Sequence, residues 1–170
     1  MATLWKNYYR ALNMIQTIGQ IFDNGTQEQI ISVLEVALKS SNESPIWTEK
    51  AIPLAEAILS VLIPLRQQNL LVTPEGTTAD HLTPELFLRY CDLVNLKWLA
   101  FTLQKSNDSA TLERTQYPTD RASTYTPIDL EILGAYLSSF TVNLEDEWLD
   151  FPISNYNLHI GVSDLIKKLL

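Results

Sequence analysis

The run from Ser44 to Gln68, SPIWTEKAIPLAEAILSVLIPLRQQ, is the most apolar stretch of the chain and decides its fold. Its large apolar residues recur in alternating steps of four and three, which places them on one face of a helix. A second apolar row widens this face. The two rows are Trp47, Ala51, Leu54, Ile58, Val61 and Leu65, and Ile52, Ala55, Leu59 and Leu62. A helix that is apolar over most of its circumference needs neighbours on several sides, so we expect residues 44–68 to form the central helix of a bundle.

One narrow polar strip remains on this helix, and both of its internal prolines, Pro53 and Pro64, lie on it. A proline inside a helix normally costs about 3 kcal/mol. Here the carbonyls left without a donor face the strip, where water can solvate them. We therefore expect a bent but continuous helix. The strip otherwise consists of Glu49, Glu56, Ser60 and Gln67.

The same stretch is too short to cross a membrane. Residues 51–65 contain one charge, Glu56, and at 1.5 Å per residue they span about 22 Å, against about 30 Å of hydrocarbon. Lys50 and Arg66 bound the run. The N-terminus lacks the charged start and apolar core of a secretory signal, and the single Cys91 cannot form an internal disulfide. We expect a cytoplasmic protein without membrane insertion.

Composition favours one helical domain. The 170 residues can bury one core, 46% are hydrophobic and only 5 are glycine, which disfavours both disorder and a turn-dense β fold. The formal net charge of -8 disfavours binding to nucleic-acid phosphates or anionic lipid. Residues 122–166 hold seven acidic residues and no Lys or Arg, so the acidity is concentrated in the C-terminal quarter.

Local signals predict a single all-α bundle of about five to seven helices over residues 1–170. Thr26 and Gln29 form a capping box, and three cap-then-proline pairs follow it. Asp92 either caps a new helix over residues 93–104 or lies within a continuing one, and a shift of the polar face favours the break. The predicted helices cover residues 3–22, 26–39, 44–68, 83–91, 93–104 and 126–142, with a terminal one from Ser163-Asp164. The cap-then-proline pairs are Ser44-Pro45, Thr83-Pro84 and Thr126-Pro127.

Two regions look less regular. Residues 105–125 are rich in Ser, Thr, Asn and Asp, which predicts a long mobile loop. Residues 143–170 form a tail of uncertain packing, in which Asn155 to Val162, NYNLHIGV, alternates like a short strand or extended segment.

Motifs for catalysis, metal or cofactor binding are not found. The five glycines form no phosphate-binding loop. His81 and His159 are far apart in sequence and lack the further ligands that zinc needs. Cys91 could act as a nucleophile with either histidine, but Phe87, Val94 and Trp98 at helical spacing favour a small buried side chain. We predict neither catalytic residues nor a cofactor.

An acidic surface comprises Glu145, Asp146, Glu147 and Asp150. It lacks the glycine and the alternating ligand spacing of a calcium loop. A solvated face is therefore favoured over a metal site, and it is a candidate docking surface for a basic partner segment.

The residues Trp47-Thr48-Glu49-Lys50-Ala51 open the central helix after the polar break at 40–45, and Leu82-Thr83-Pro84-Glu85 starts a later helix. This succession, over about residues 20–100, resembles the all-α domain of type IV secretion coupling proteins, the hexameric motor ATPases that bring DNA or protein substrates to conjugation and effector-secretion channels. Trp47, Glu49, Lys50 and Ala51 are the family-like positions. A packed helix start, with Glu49 in the first turn near the helix dipole, explains them equally well.

The resemblance implies a module excised from its ATPase domain, without enzymatic activity, at the cytoplasmic face of the inner membrane. It would dock a secretion substrate, a relaxase or an accessory protein. Two alternatives stay open. A structural or assembly protein would self-associate, for instance through Trp5 and Tyr8 on the first helix. A direct DNA-binding domain is disfavoured by the charge.

Overall fold

The computed structural model describes residues 14, 17–41, 43–109, 125–139 and 153–170. These residues form an all-helical bundle, which confirms the predicted fold class. None of the helices in the described part of the chain is long and apolar enough to cross a membrane. The helices are α1 (17–24), α2 (Gln27–Lys39), α3 (Pro45–Gln67), α4 (Pro84–Tyr90), α5 (Leu93–Ser109), α6 (Glu131–Ser138) and α7 (Ile153–Leu169).

The central helix of the bundle is α3, as predicted. It packs against α2, α6 and α7, and also against α4. Ten of its residues between Ala51 and Leu65 are buried. The helix is continuous through Pro53 and Pro64. At its C-terminal end the Arg66 guanidinium donates to the carbonyls of Phe22 (2.6 Å) and Gly25 (2.7 Å), which ties α3 to the end of α1.

The predicted helix boundaries near capping residues are mostly confirmed. Thr26 and Gln29 form the capping box of α2. The Thr83 hydroxyl accepts from the Leu86 N–H at the start of α4. The Asp92 carboxylate accepts from the N–H groups of Val94 (2.9 Å) and Asn95 (3.2 Å), so it caps α5 and separates it from α4.

The connection between α3 and α4 turns at residues 73–76, where the Gly76 N–H donates to the Thr73 carbonyl at 2.8 Å. Gly76 has a φ of 80°, a backbone conformation that favours glycine. Val72 and Thr78 pair as an isolated antiparallel bridge. The Tyr90 hydroxyl donates to the buried Val72 carbonyl at 2.7 Å, so this loop is held against the core.

The predicted mobile loop at 105–125 is wrong at its start, because α5 continues to Ser109. The polar side chains in this part of α5 find backbone partners. Ser106 is buried and donates to the Thr102 carbonyl at 2.6 Å, and Asn107 bonds to Ile128. Residues 110–124 lie outside the described part of the chain.

The helix predicted from Thr126-Pro127 begins only at Glu131, and two side-chain amides bond the non-helical backbone of residues 126–128 instead. The Gln68 amide accepts from the Thr126 N–H (2.7 Å) and donates to the Thr126 carbonyl (3.0 Å). The Asn107 amide makes the same pair of bonds with Ile128, at 2.9 and 2.8 Å. We call Gln68 and Asn107 the amide clamps. They bond alternate residues as a neighbouring strand would.

The predicted extended segment at 155–162 is wrong, because these residues belong to α7. His159, Val162 and Ile166 are buried at helical steps of three and four. Ile160, which the alternation grouped with Val162, is instead 39% exposed. The tail of the chain is therefore part of the bundle from residue 153 onward.

Candidate functional site

The candidate site is a groove between α3 and α6 with a volume of about 550 Å³. We call it the α3–α6 groove. Its size lies within the usual range of ligand pockets. Glu49, Lys50, Pro53 and Glu56 line it from α3, Glu131, Ile132, Ala135 and Tyr136 line it from α6, and Ser139 lines it just after the end of α6.

The α3 wall of the groove belongs to the polar strip that the sequence predicts. Glu49, Pro53 and Glu56 follow each other in steps of four and three and therefore share one side of the helix. Glu49 and Pro53 are exposed, and Glu56 is half-buried. The opposite side of α3 lies in the core, so this strip is the part of the central helix that the bundle leaves accessible.

The α6 wall combines one acid with apolar side chains. Glu131 starts the helix, and its N–H donates to the Asp129 carboxylate at 2.9 Å. Ile132 is 49% exposed, and Ala135 one turn later is also exposed. The sequence analysis identified neither Ile132 nor Ala135 as a site residue, so this part of the site was missed.

A buried chain of hydrogen bonds lies behind the groove. The Tyr136 hydroxyl and His159 Nδ1 are 2.9 Å apart, and His159 Nε2 is 2.7 Å from the carbonyl oxygen of Cys91. A backbone carbonyl can only accept, so Nε2 carries a proton. In the neutral ring Nδ1 then accepts from the tyrosine hydroxyl. These bonds join α6, α7 and the end of α4.

Burial determines the protonation states of the side chains in and beside this hydrogen-bonded row. It lowers the pKa of His159, which is 1% exposed, and it raises the pKa of the Tyr136 hydroxyl. It also raises the pKa of the Cys91 thiol to about 12. All three groups are therefore neutral near pH 7.

The hypothetical Cys91–histidine nucleophile is not assembled. His159 bonds to the backbone carbonyl of Cys91, and the thiol is fully buried and protonated. His81 lies on the surface, 3.1 Å from the Asp23 carboxylate. Cys91 is a small buried side chain, as its helical neighbours indicated, although Val94 among them is exposed. Across the described ranges no group of three or more potential metal ligands occurs.

The family-like positions at the start of α3 separate into two roles. Glu49 and Lys50 line the groove. Ala51 is buried, and Trp47 is half-buried against Gly161 of α7. The predicted acidic surface, Glu145, Asp146, Glu147 and Asp150, lies outside the described residues, as do Trp5 and Tyr8 of the predicted self-association face.

Comparisons with protein-family models, with curated proteins and with solved structures found no match.

Proposed function

We propose that this protein is a non-enzymatic recognition module that docks a partner protein in the α3–α6 groove. One observation carries the proposal: the central helix, buried along most of its surface, leaves one strip accessible, and the N-terminal part of that strip, from Glu49 to Glu56, forms one wall of an open groove. Exposed apolar side chains such as Ile132 and Ala135 line the other wall. A helical segment or loop of a partner can cover such a surface.

The resemblance to the all-α domain of type IV secretion coupling proteins gives the proposal a specific form. In that form the partner is a secreted protein, a relaxase or an accessory factor of the DNA-processing complex, and the chain is a module of a larger motor protein in the cytoplasm. Glu49 and Lys50, two of the family-like positions, line the groove and would contact the partner directly.

The proposal is tested by a pull-down from cytoplasmic lysate with a matched pair of variants. Ala135→Trp fills the groove from an exposed position of α6, whereas Ser138→Trp places the same ring on the same helix outside the groove. We expect the unmodified chain and Ser138→Trp to capture the same secreted protein, relaxase or accessory factor, identified by mass spectrometry. Ala135→Trp should lose it while keeping its thermal unfolding temperature.

Three results would contradict the proposal. Capture that is equal for both tryptophan variants would exclude the groove. A chain that captures nothing and shows concentration-dependent oligomers by light scattering would be an assembly protein. A gel shift of labelled DNA at low salt, without protein capture, would indicate a DNA-binding domain.

A further inference from the structure

The walls of the α3–α6 groove carry an excess of negative charge. Glu49 and Glu56 contribute carboxylates from α3, and Glu131 contributes a third from α6. Lys50 is the one basic residue among the groove-lining residues in the described part of the chain. Three carboxylates and one ammonium group leave two net negative charges around one opening. A cationic ligand is therefore favoured over an anionic one.

The backbone of α3 adds a further acceptor on the same side. Proline has no N–H, so Pro53 cannot donate the helical hydrogen bond that the Glu49 carbonyl would otherwise receive. A helical carbonyl points toward the residue four positions later, and Pro53 itself lines the groove. This carbonyl therefore points toward Pro53, on the side of α3 that also carries Glu49 and Glu56. Lys and Arg side chains carry only donors and match it.

Apolar surface separates these acidic groups. Ile132 is one of the large apolar side chains that the bundle leaves exposed, at 49%. Pro53 and Ala135 are also exposed and line the same groove. A small polycation such as a polyamine would satisfy the carboxylates but leave these side chains in water. A ligand that also carries an apolar group would cover them.

We propose that the α3–α6 groove binds a short cationic segment of a partner protein, in which one apolar side chain is flanked by Lys or Arg. The inference rests on the proposed docking function and names the chemistry of its partner. The apolar side chain lies against Ile132, Ala135 and Pro53. The flanking cations lie against Glu49 and Glu56 on one side and Glu131 on the other.

The test is the fluorescence anisotropy of short labelled peptides added to the full chain. The first peptide carries a leucine between two Lys-Arg pairs in a Gly/Ser background. One matched peptide replaces the leucine by serine, and another replaces the basic residues by glutamate. We expect the first peptide to bind most tightly, the serine peptide to bind more weakly, and the glutamate peptide not to bind.

Two charge variants make the test specific. The groove variant combines Glu49→Gln, Glu56→Gln and Glu131→Gln, and the control combines Glu35→Gln, Glu85→Gln and Asp108→Asn at exposed positions outside the groove. Both remove three negative charges. The groove variant should weaken binding by about tenfold, since each solvent-accessible ion pair contributes about a twofold factor in affinity. The control should change the affinity by less than about twofold, and moderate salt should reduce the difference.

Equal binding of the basic and glutamate peptides, or equal effects of the two charge variants, would overturn the inference. The pull-down distinguishes this failure from that of the docking function. If Ala135→Trp abolishes partner capture while the groove charge variant does not, docking stands and the cationic partner is excluded. If neither variant changes capture, both ideas fail. If Ala135→Trp instead dissociates oligomers of this chain, the occupant is a second copy and the inference is again overturned.

Discussion

The indole ring of Trp47 lies against Gly161 so closely that a Cβ on residue 161 would be 2.3 Å from Trp47 Cζ3 and 2.5 Å from Cη2. This contact joins the first turn of α3 to the middle of α7. Glycine inside a helix normally costs about 1 kcal/mol relative to alanine. Here the missing side chain is what allows the two helices to meet.

We therefore expect Gly161→Ala to destabilise the protein by about 1–3 kcal/mol, because overpacking exceeds the gain in helix propensity. Urea denaturation measures this change. Gly19→Ala is the matched control: among the described residues, no atom outside the adjoining helix backbone lies within 4 Å of a Cβ there, so it should stabilise the protein by up to about 1 kcal/mol. In a Trp47→Leu background the cost of Gly161→Ala should fall, and an undiminished cost would argue against the ring contact.

The buried His159 should make stability depend on pH. Burial lowers its pKa in the folded state, and the ordinary value is 6.5. The stability contributed by the neutral ring is therefore fully present above about pH 6.5 and is lost as the pH falls from there toward the folded-state pKa. One proton limits the slope to about 1.4 kcal/mol per pH unit.

Urea denaturation between about pH 7.5 and pH 5 tests this dependence. His159→Gln should have a smaller slope than the unmodified chain just below pH 6.5, the ordinary pKa. Identical slopes for the unmodified chain and His159→Gln would mean that this ring is not the source of the pH dependence.

The amide clamps should contribute unequally to stability. Asn107 is partly buried and bonds both backbone groups of Ile128 as well as the Tyr125 hydroxyl. Asn107→Ala should cost about 1–3 kcal/mol, because these groups lose their partner away from water. Gln68→Ala should cost less, since its bonds to Thr126 are exposed.

Urea denaturation gives both costs, and hydrogen exchange of the Ile128 amide should become faster in Asn107→Ala. The control is Asp108→Ala, one position along α5 and exposed. If Asn107→Ala matches this control in both measurements, the side-chain amide does not hold the segment.

The acidic surface near the C-terminal quarter gives a separate prediction. Replacing Glu145, Asp146, Glu147 and Asp150 by their amides should weaken docking of a basic partner, and more strongly at low salt, because screening is then least. Binding of the captured partner, measured by anisotropy at two salt concentrations, checks this. Unchanged affinity at low salt would show that this candidate surface takes no part in docking.

Features encoded by neighbouring residues were predictable from the sequence. The Thr26–Gln29 capping box, the break at Asp92 and the central helix all depend on side chains within a few positions of each other. Their signals are therefore contained in one short window. The late start of α6 is different, because the bonds to the non-helical segment before it come from Gln68, 58 positions away, and from Asn107, 21 positions away.

The groove also has one part that could be predicted from the sequence and one part that could not. Its α3 wall follows from the polar strip, which the spacing of Glu49, Pro53 and Glu56 defines. Its α6 wall could not be predicted, because the sequence alone does not show which face of α6 packs against the bundle, and Ile132 is a typical core residue type that is nevertheless exposed. The alternation in residues 155–162 was also ambiguous, since Leu158 and Val162 share a face in a helix as well as in a strand.

The accessible strip of α3 has a consequence for how the sequence of this protein can evolve. Glu49, Pro53 and Glu56 line the groove, while Ala51, Leu54 and Ala55 between them are buried in the core. Under the proposed docking function, substitutions on the strip would alter which partners bind without disturbing packing, and substitutions in the core would adjust stability without altering the binding surface. A single helix thus lets partner choice and fold robustness evolve along separate sets of positions.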